Sequence, residues 1–128
     1  MRLLLDTHIV IWAQLDPTRV PQGVAAALED TDNELWFSPV SVWEVLQLIQ
    51  RGRIEVKGDV YNWANQAFEG MREAVLNRHV AVESRRIELP HNDPADRFIA
   101  ATAQVYDLLL VTLDAKLLQA RDVRLFPA

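Results

Sequence analysis

Leu3-Leu4-Leu5-Asp6, three apolar residues stopped by a carboxylate, has an echo near the other end of the chain in Leu108-Leu109-Leu110-Val111-Thr112-Leu113-Asp114. Continuous apolar runs of this length fit strands buried on both faces, as in the middle of a parallel sheet covered by helices. In open sheets of that kind ligands sit just beyond the carboxyl ends of the strands. Asp6 and Asp114 therefore stand where two strand ends can share a site.

The 128 residues, half of them hydrophobic, amount to a single domain over residues 1–128 with enough apolar material for a core. The absence of cysteine removes disulfides, thiol nucleophiles and thiolate metal sites, and makes a cytoplasmic protein the simplest expectation. No apolar stretch approaches the roughly 18 residues that span a bilayer, and no signal peptide is evident, so no membrane partner is expected. A net charge of −5 argues against a general nucleic-acid coat protein. It does not argue against a nuclease whose carboxylates are neutralised by metal ions. Arg51, Arg53, Arg85, Arg86, Arg97, Lys116 and Arg121 are scattered and read first as a solvated surface.

Around the two anchoring runs, Thr7 to Ala13 reads as a turn and short helix, Asp16-Pro17-Thr18 as a breaker, Gln22 to Asp30 as a helix and Leu35-Trp36-Phe37 as a second strand. Ser38-Pro39 starts a helix whose stripe is Val42, Val45, Leu46 and Ile49 and which stops at Arg51-Gly52. Tyr61 to Leu76 carries a helical pattern on Trp63, Ala67, Phe68, Met71 and Val75, closed by Asn77-Arg78-His79. Val80-Ala81-Val82 reads as a third strand, and Ser84 to Leu89 fits no single pattern. Pro90 to Pro94 opens a helix to about Tyr106, Ala115 to Gln119 is helical, and Val123 to Phe126 is a last edge strand. The alternation predicts an α/β protein, an α/β/α sandwich with a mostly parallel sheet of about five strands.

Four acids need an account. Asp93-Pro94-Ala95-Asp96 is a complete helix start, with Asp93 as cap and Asp96 in the first turn. Yet Asp96 shares a helix face with Ile99, Ala100 and Ala103, and a carboxylate aimed inward needs a partner such as a metal ion. Ser41-Val42-Trp43-Glu44 has the spacing of a capping box, but a helix that begins at Ser38-Pro39 puts Glu44 in its second turn, beside the buried stripe. Asp6 and Asp114 also read as residues that end strands by turning the chain. Together the four should meet at one edge of the sheet. Oxygen-only clusters select hard cations such as Mg²⁺ or Mn²⁺, and the chemistry they suit is phosphoryl-ester hydrolysis.

Leu3–Ile9 (LLLDTHI), Ser41–Val45 (SVWEV), Asp93–Ala103 (DPADRFIAATA) and Val111–Asp114 (VTLD) together resemble the PIN-domain proteins, and more closely the bacterial ribonuclease toxins of the VapC type. The resemblance runs over nearly the whole chain and implies a Mg²⁺- or Mn²⁺-dependent endoribonuclease acting on RNA. It carries the family's four acidic positions onto Asp6, Glu44, Asp96 and Asp114, with Asp6 and Asp96 as the most direct metal ligands and Glu44 and Asp114 completing the shell or orienting water. Thr7 and Thr112 would fix those carboxylates, Asp93 would touch metal or substrate or serve only as cap, and Arg97 would pair with phosphate or an acid. Such toxins usually dimerise and are encoded with a small antitoxin protein whose tail lies near the site. Trp12, Trp43 and Trp63 are candidates for an interface or for core packing. One departure is the stretch Val82 to Pro90, which is short for the helix that usually precedes DPADR.

Other classes fit less well. A haloacid-dehalogenase phosphatase needs an acid where His8 stands, and a receiver domain needs a phosphoacceptor where the second strand ends in Ser38. The serious alternative is a PIN-like module that binds RNA or protein without turnover; the presence of all four acids argues against it. His8, His79 and His91 show no ligand spacing and read as loop or surface histidines.

Overall fold

Leu3, Leu4 and Leu5 form the central strand of the protein and are fully buried. The computed structural model describes residues 1–127. Strand β1 (Arg2–Leu5) leads into helix α1 (Thr7–Leu15), a 3₁₀ turn at Pro17–Arg19 and helix α2 (Gln22–Glu29). Strand β2 (Glu34–Phe37), helices α3 (Pro39–Gln50) and α4 (Val60–Gln66), and a two-residue strand β3 (Arg72–Glu73) follow. Helices α5 (Arg78–Arg86) and α6 (Pro94–Val105), strand β4 (Leu109–Val111) and a 3₁₀ turn at Leu117–Gln119 complete it.

The four strands run in the order β3-β2-β1-β4, all parallel, with Leu3 opposite both Leu35 and Leu109 and Leu4 opposite Trp36 and Leu110. Period-two alternation divides β1 and β4 between two cores. Leu3, Leu5 and Val111 pack with Ile9, Val24, Val45 and Phe68 from α1 to α4 and the turn after α4; Leu4, Leu108 and Leu110 pack with Ile99, Ala100 and Ala103 of α6 and with Ile87. This is the expected three-layer α/β/α sandwich.

Three expectations are corrected. Val80-Ala81-Val82 is not a strand but the middle of α5: Asn77 Oδ1 accepts from the Val80 amide at 3.0 Å and caps the helix, and Val80, Ser84 and Ile87 make its buried stripe. That helix also fills the stretch before DPADR that looked too short. The helix expected to run to Leu76 stops at Gln66; Gly70, at φ +82, turns the chain into β3. The last expected strand is reduced to one parallel bridge between Leu125 and Leu110, so four strands and a bridged segment stand where about five were expected. Among the described residues no helix is long and apolar enough to cross a membrane.

Candidate active site

Because the chain steps from β1 outward to β2 and β3 and then returns to place β4 on the other side of β1, the order in which strands are added reverses between β1 and β4 while all remain parallel. A crevice opens at the carboxyl ends on either side of such a reversal. Asp6 closes β1 and caps α1, with Oδ1 accepting from the Thr7 amide at 2.8 Å. Its Oδ2 accepts from the Thr112 hydroxyl at 2.7 Å, just past β4, and Thr112 Oγ1 in turn accepts from the Asp114 amide at 3.0 Å. One hydroxyl thus ties the two strand ends together. Asp114 Oδ1 accepts from the Lys116 amide at 2.8 Å, so the carboxylate closes a tight turn just past β4.

Ser38 caps α3 and Pro39 takes its first turn, so Glu44 lies beyond capping range, on the side facing α1. Its Oε1 accepts from the Thr7 hydroxyl at 2.5 Å, a short charge-assisted bond, and Thr7 Oγ1 is also 2.8 Å from the Ser41 hydroxyl. Thr7 and Ser41 are fully buried, so this small network fixes Glu44 against α1. Spacing offered Ser41 only as the start of a capping box; the structure sets its hydroxyl against Thr7 instead.

At α6, Asp93 is the cap: its Oδ1 accepts from the amides of Ala95 and Asp96 at 3.0 and 3.3 Å. Asp96 is only 8% exposed although it ends in a carboxyl group. His91, read from sequence as a loop histidine, is half-buried with Nε2 3.4 Å from Asp96 Oδ2. Arg97 departs from the expected pairing with phosphate or an acid. Its guanidinium donates to the main-chain oxygens of Ser84 and Ile87 at 2.7 Å each, and more weakly to those of His91 and Arg85. It clamps the end of α5 and the following loop to α6.

Electrostatics link the acids. Burial pushes the Asp6 carboxyl above its usual range. Burial raises Glu44 to about 7 against the hydrogen bond from Thr7, with Asp6, Asp93 and Asp114 adding repulsion. Burial likewise raises Asp96 to about 7, reinforced by Asp93, Asp114, Asp6 and Glu44. Among the described residues no lysine or arginine pairs with any of the four. The one opposing charge acting on Asp6 among the described residues is that of His8.

Two cavities border the acids: one of about 220 Å³ lined by Asp6, His8, Trp12, Leu113 and Asp114, the other of about 290 Å³ lined by Trp43, Glu44, Gln47, Asp93, Pro94 and Ala95. His8 is thus at the site rather than on a remote loop. Trp12 and Trp63 pack against the core, but Trp43 is 55% exposed and divides the Glu44 cavity from an apolar groove of about 640 Å³ that includes Phe37, Leu46, Phe68 and Met71.

Among the described residues no three Asp, Glu or His side chains already stand as a finished ion cage. The donor chemistry nevertheless fits a hard divalent cation: every donor is a carboxylate oxygen, and an ion between them would relieve the repulsion that raises Glu44 and Asp96.

The PIN domain family model matches residues 3–123. Ribonuclease VapC22 of Mycobacterium tuberculosis is 34% identical over 125 residues, 95% of this chain and 94% of that protein. Among solved structures, VapBC2 from Rickettsia felis bound to a DNA fragment from its promoter superposes with a TM-score of 0.71 at 15% identity, covering 98% of both chains. A toxin-antitoxin complex from Klebsiella pneumoniae superposes with a TM-score of 0.61 at 23% identity, covering 91% of this chain and 90% of that one. The parallel sheet, the acids along its carboxyl edge and a match over nearly the whole length lead to one conclusion: this chain belongs to the PIN-domain family, in its VapC-type branch.

Proposed function

We propose that the protein is a Mg²⁺- or Mn²⁺-dependent endoribonuclease, cytoplasmic, and the toxin of a toxin–antitoxin pair. The observation that carries this reading is the convergence of Asp6, Glu44, Asp96 and Asp114, from four separate segments, on one sheet edge where burial and mutual repulsion raise Glu44 and Asp96 to about 7. The likeness to Ribonuclease VapC22 supports the same reaction class.

Asp6 and Asp96 would hold the ion, with Glu44 and Asp114 flanking it. A bound Mg²⁺ or Mn²⁺ supplies positive charge that polarises a phosphodiester and makes water a better nucleophile. The chain's own residues do the positioning. Thr112 fixes the rotation of Asp6, and Thr7 holds only one oxygen of Glu44, leaving Oε2 to orient a water. Hydrolysis would add the water oxygen to phosphorus and pass that water's proton to a carboxylate, for which Glu44 is the candidate, while the bond to the leaving ribose oxygen breaks and that oxygen takes a proton from solvent water.

The apolar groove beside Trp43 suits a segment of a small antitoxin protein, which would cover Glu44 as it seats. A homodimer remains part of the proposal.

The test is cleavage of single-stranded RNA by the purified, partner-free chain with Mn²⁺ or Mg²⁺ and with chelator, beside Asp6→Asn prepared identically. Metal-dependent cutting by the wild type alone is expected. Equal behaviour of the two proteins on structured and unstructured RNAs would leave the module without turnover as the better reading.

A further inference from the structure

The loop before α6 holds its histidine in an unusual setting. His91 Nδ1 accepts from the Asp93 amide at 3.0 Å, and the main-chain oxygen of His91 accepts from Arg97 Nη1 at 3.2 Å. The first bond fixes the ring and the second fixes the backbone that carries it. An Nδ1 that accepts leaves the ring proton on Nε2. Nε2 is buried, lacks a hydrogen-bond partner and stands 3.4 Å from Asp96 Oδ2. A buried donor without a partner is costly, and among the described residues the ion-pair geometry places the third acid of the site beside it.

We propose that His91 is a positioning residue for Asp96: its Nε2–H donates to Oδ2 when the cleft is loaded, so that Asp96 presents its other oxygen to the ion. Arg97 keeps the ring in reach by clamping the loop. The inference rests on the metal-dependent reading of the site and adds to it a residue that no acidic motif contains. A carboxylate ligand held by such a donor typically loses about 10–100-fold in metal affinity or activity when the donor is removed.

Three substitutions separate this role from simple turn capping. His91→Asn keeps an acceptor near Nδ1 but has no donor near Nε2. His91→Gln places an amide donor near Nε2, and His91→Ala has neither. Mn²⁺ affinity by calorimetry, RNA cleavage, and thermal melting in EDTA are measured for each, together with the His91 tautomer of the metal-free wild type from long-range ¹⁵N–¹H spectra. We expect the Nε2–H tautomer, a loss of about tenfold or more in Mn²⁺ affinity for the Ala and Asn variants, and recovery of most of it by Gln. Rescue by Asn rather than Gln, an Nδ1–H tautomer, or three variants that bind Mn²⁺ like a competent wild type would overturn the proposal while leaving the nuclease intact. A wild type that binds no Mn²⁺ at all would bring down the metal-dependent reading, and this inference with it.

Discussion

At the scale of single residues, the site is a set of carboxylates whose neighbours are hydroxyls and amides rather than cations. Asp96→Asn keeps the shape of the side chain and removes the charge, so it should abolish cleavage while circular dichroism shows an intact fold; an unfolded variant would return Asp96 to a structural role. Thr112→Val removes the hydroxyl shared by Asp6 and the Asp114 amide and should lower cleavage about 10–100-fold, read from initial rates at saturating metal. The raised carboxyls also set a pH dependence. Glu44 and Asp96 ionise near 7 when folded and near 4 when unfolded, so between those values the folded chain binds more protons. Their contribution in metal-free protein is thus full below about pH 4 and is lost as pH rises toward about 7. Urea midpoints in EDTA at pH 5 and pH 8 should show this fall, and it should shrink in the Glu44→Gln, Asp96→Asn double variant. The placement of Asp6 at a strand end was legible in Leu3-Leu4-Leu5-Asp6, because an apolar run that stops at a carboxylate has few other readings. The approach of His91 to Asp96 was not, since it depends on how a loop folds back on the helix that follows it.

At the scale of elements, caps and breakers carried most of the legible information. Ser38-Pro39 fixed the start of α3 and so removed Glu44 from its capping position; Asp93-Pro94 did the same for α6. The two misplaced segments in the middle of the chain failed for local reasons. Val80-Ala81-Val82 is too short to separate a two-residue period from a helical one, and its helical stripe runs on through Ser84, a polar residue in a buried place. Tyr61 to Leu76 kept a helical spacing past the point where Gly70 turns the chain, because the periodicity of side chains says nothing of a backbone dihedral. The clamp made by Arg97 also belongs to this scale. Arg97→Lys cannot bridge the carbonyls of Ser84 and Ile87 with one ammonium, and it should cost about 2–3 kcal/mol in urea unfolding. A smaller loss would show that α5 is held to α6 chiefly by its apolar stripe.

At the scale of the whole molecule, the net charge of −5 and the gathered acids make the metal-free protein electrostatically strained at one edge. Mn²⁺ should therefore raise the melting temperature of the wild type, by an amount corresponding to about 2.7 kcal/mol at one hundred times the dissociation constant, and should leave Asp6→Asn nearly unmoved. Differential scanning calorimetry with and without the ion checks this without any RNA present. The reversal of strand order has a further consequence in time. β1 is synthesised well before β4, yet the bond from Thr112 to Asp6 spans 106 residues, and the edge that gathers the acids exists only once Leu109–Val111 has paired with Leu3–Leu5. A ribosome pausing anywhere before that point carries Asp6 and Glu44 on a nascent chain with no cleft between them. The acidic edge is therefore among the last parts of the molecule to come together, because its two flanking strands lie at opposite ends of the chain.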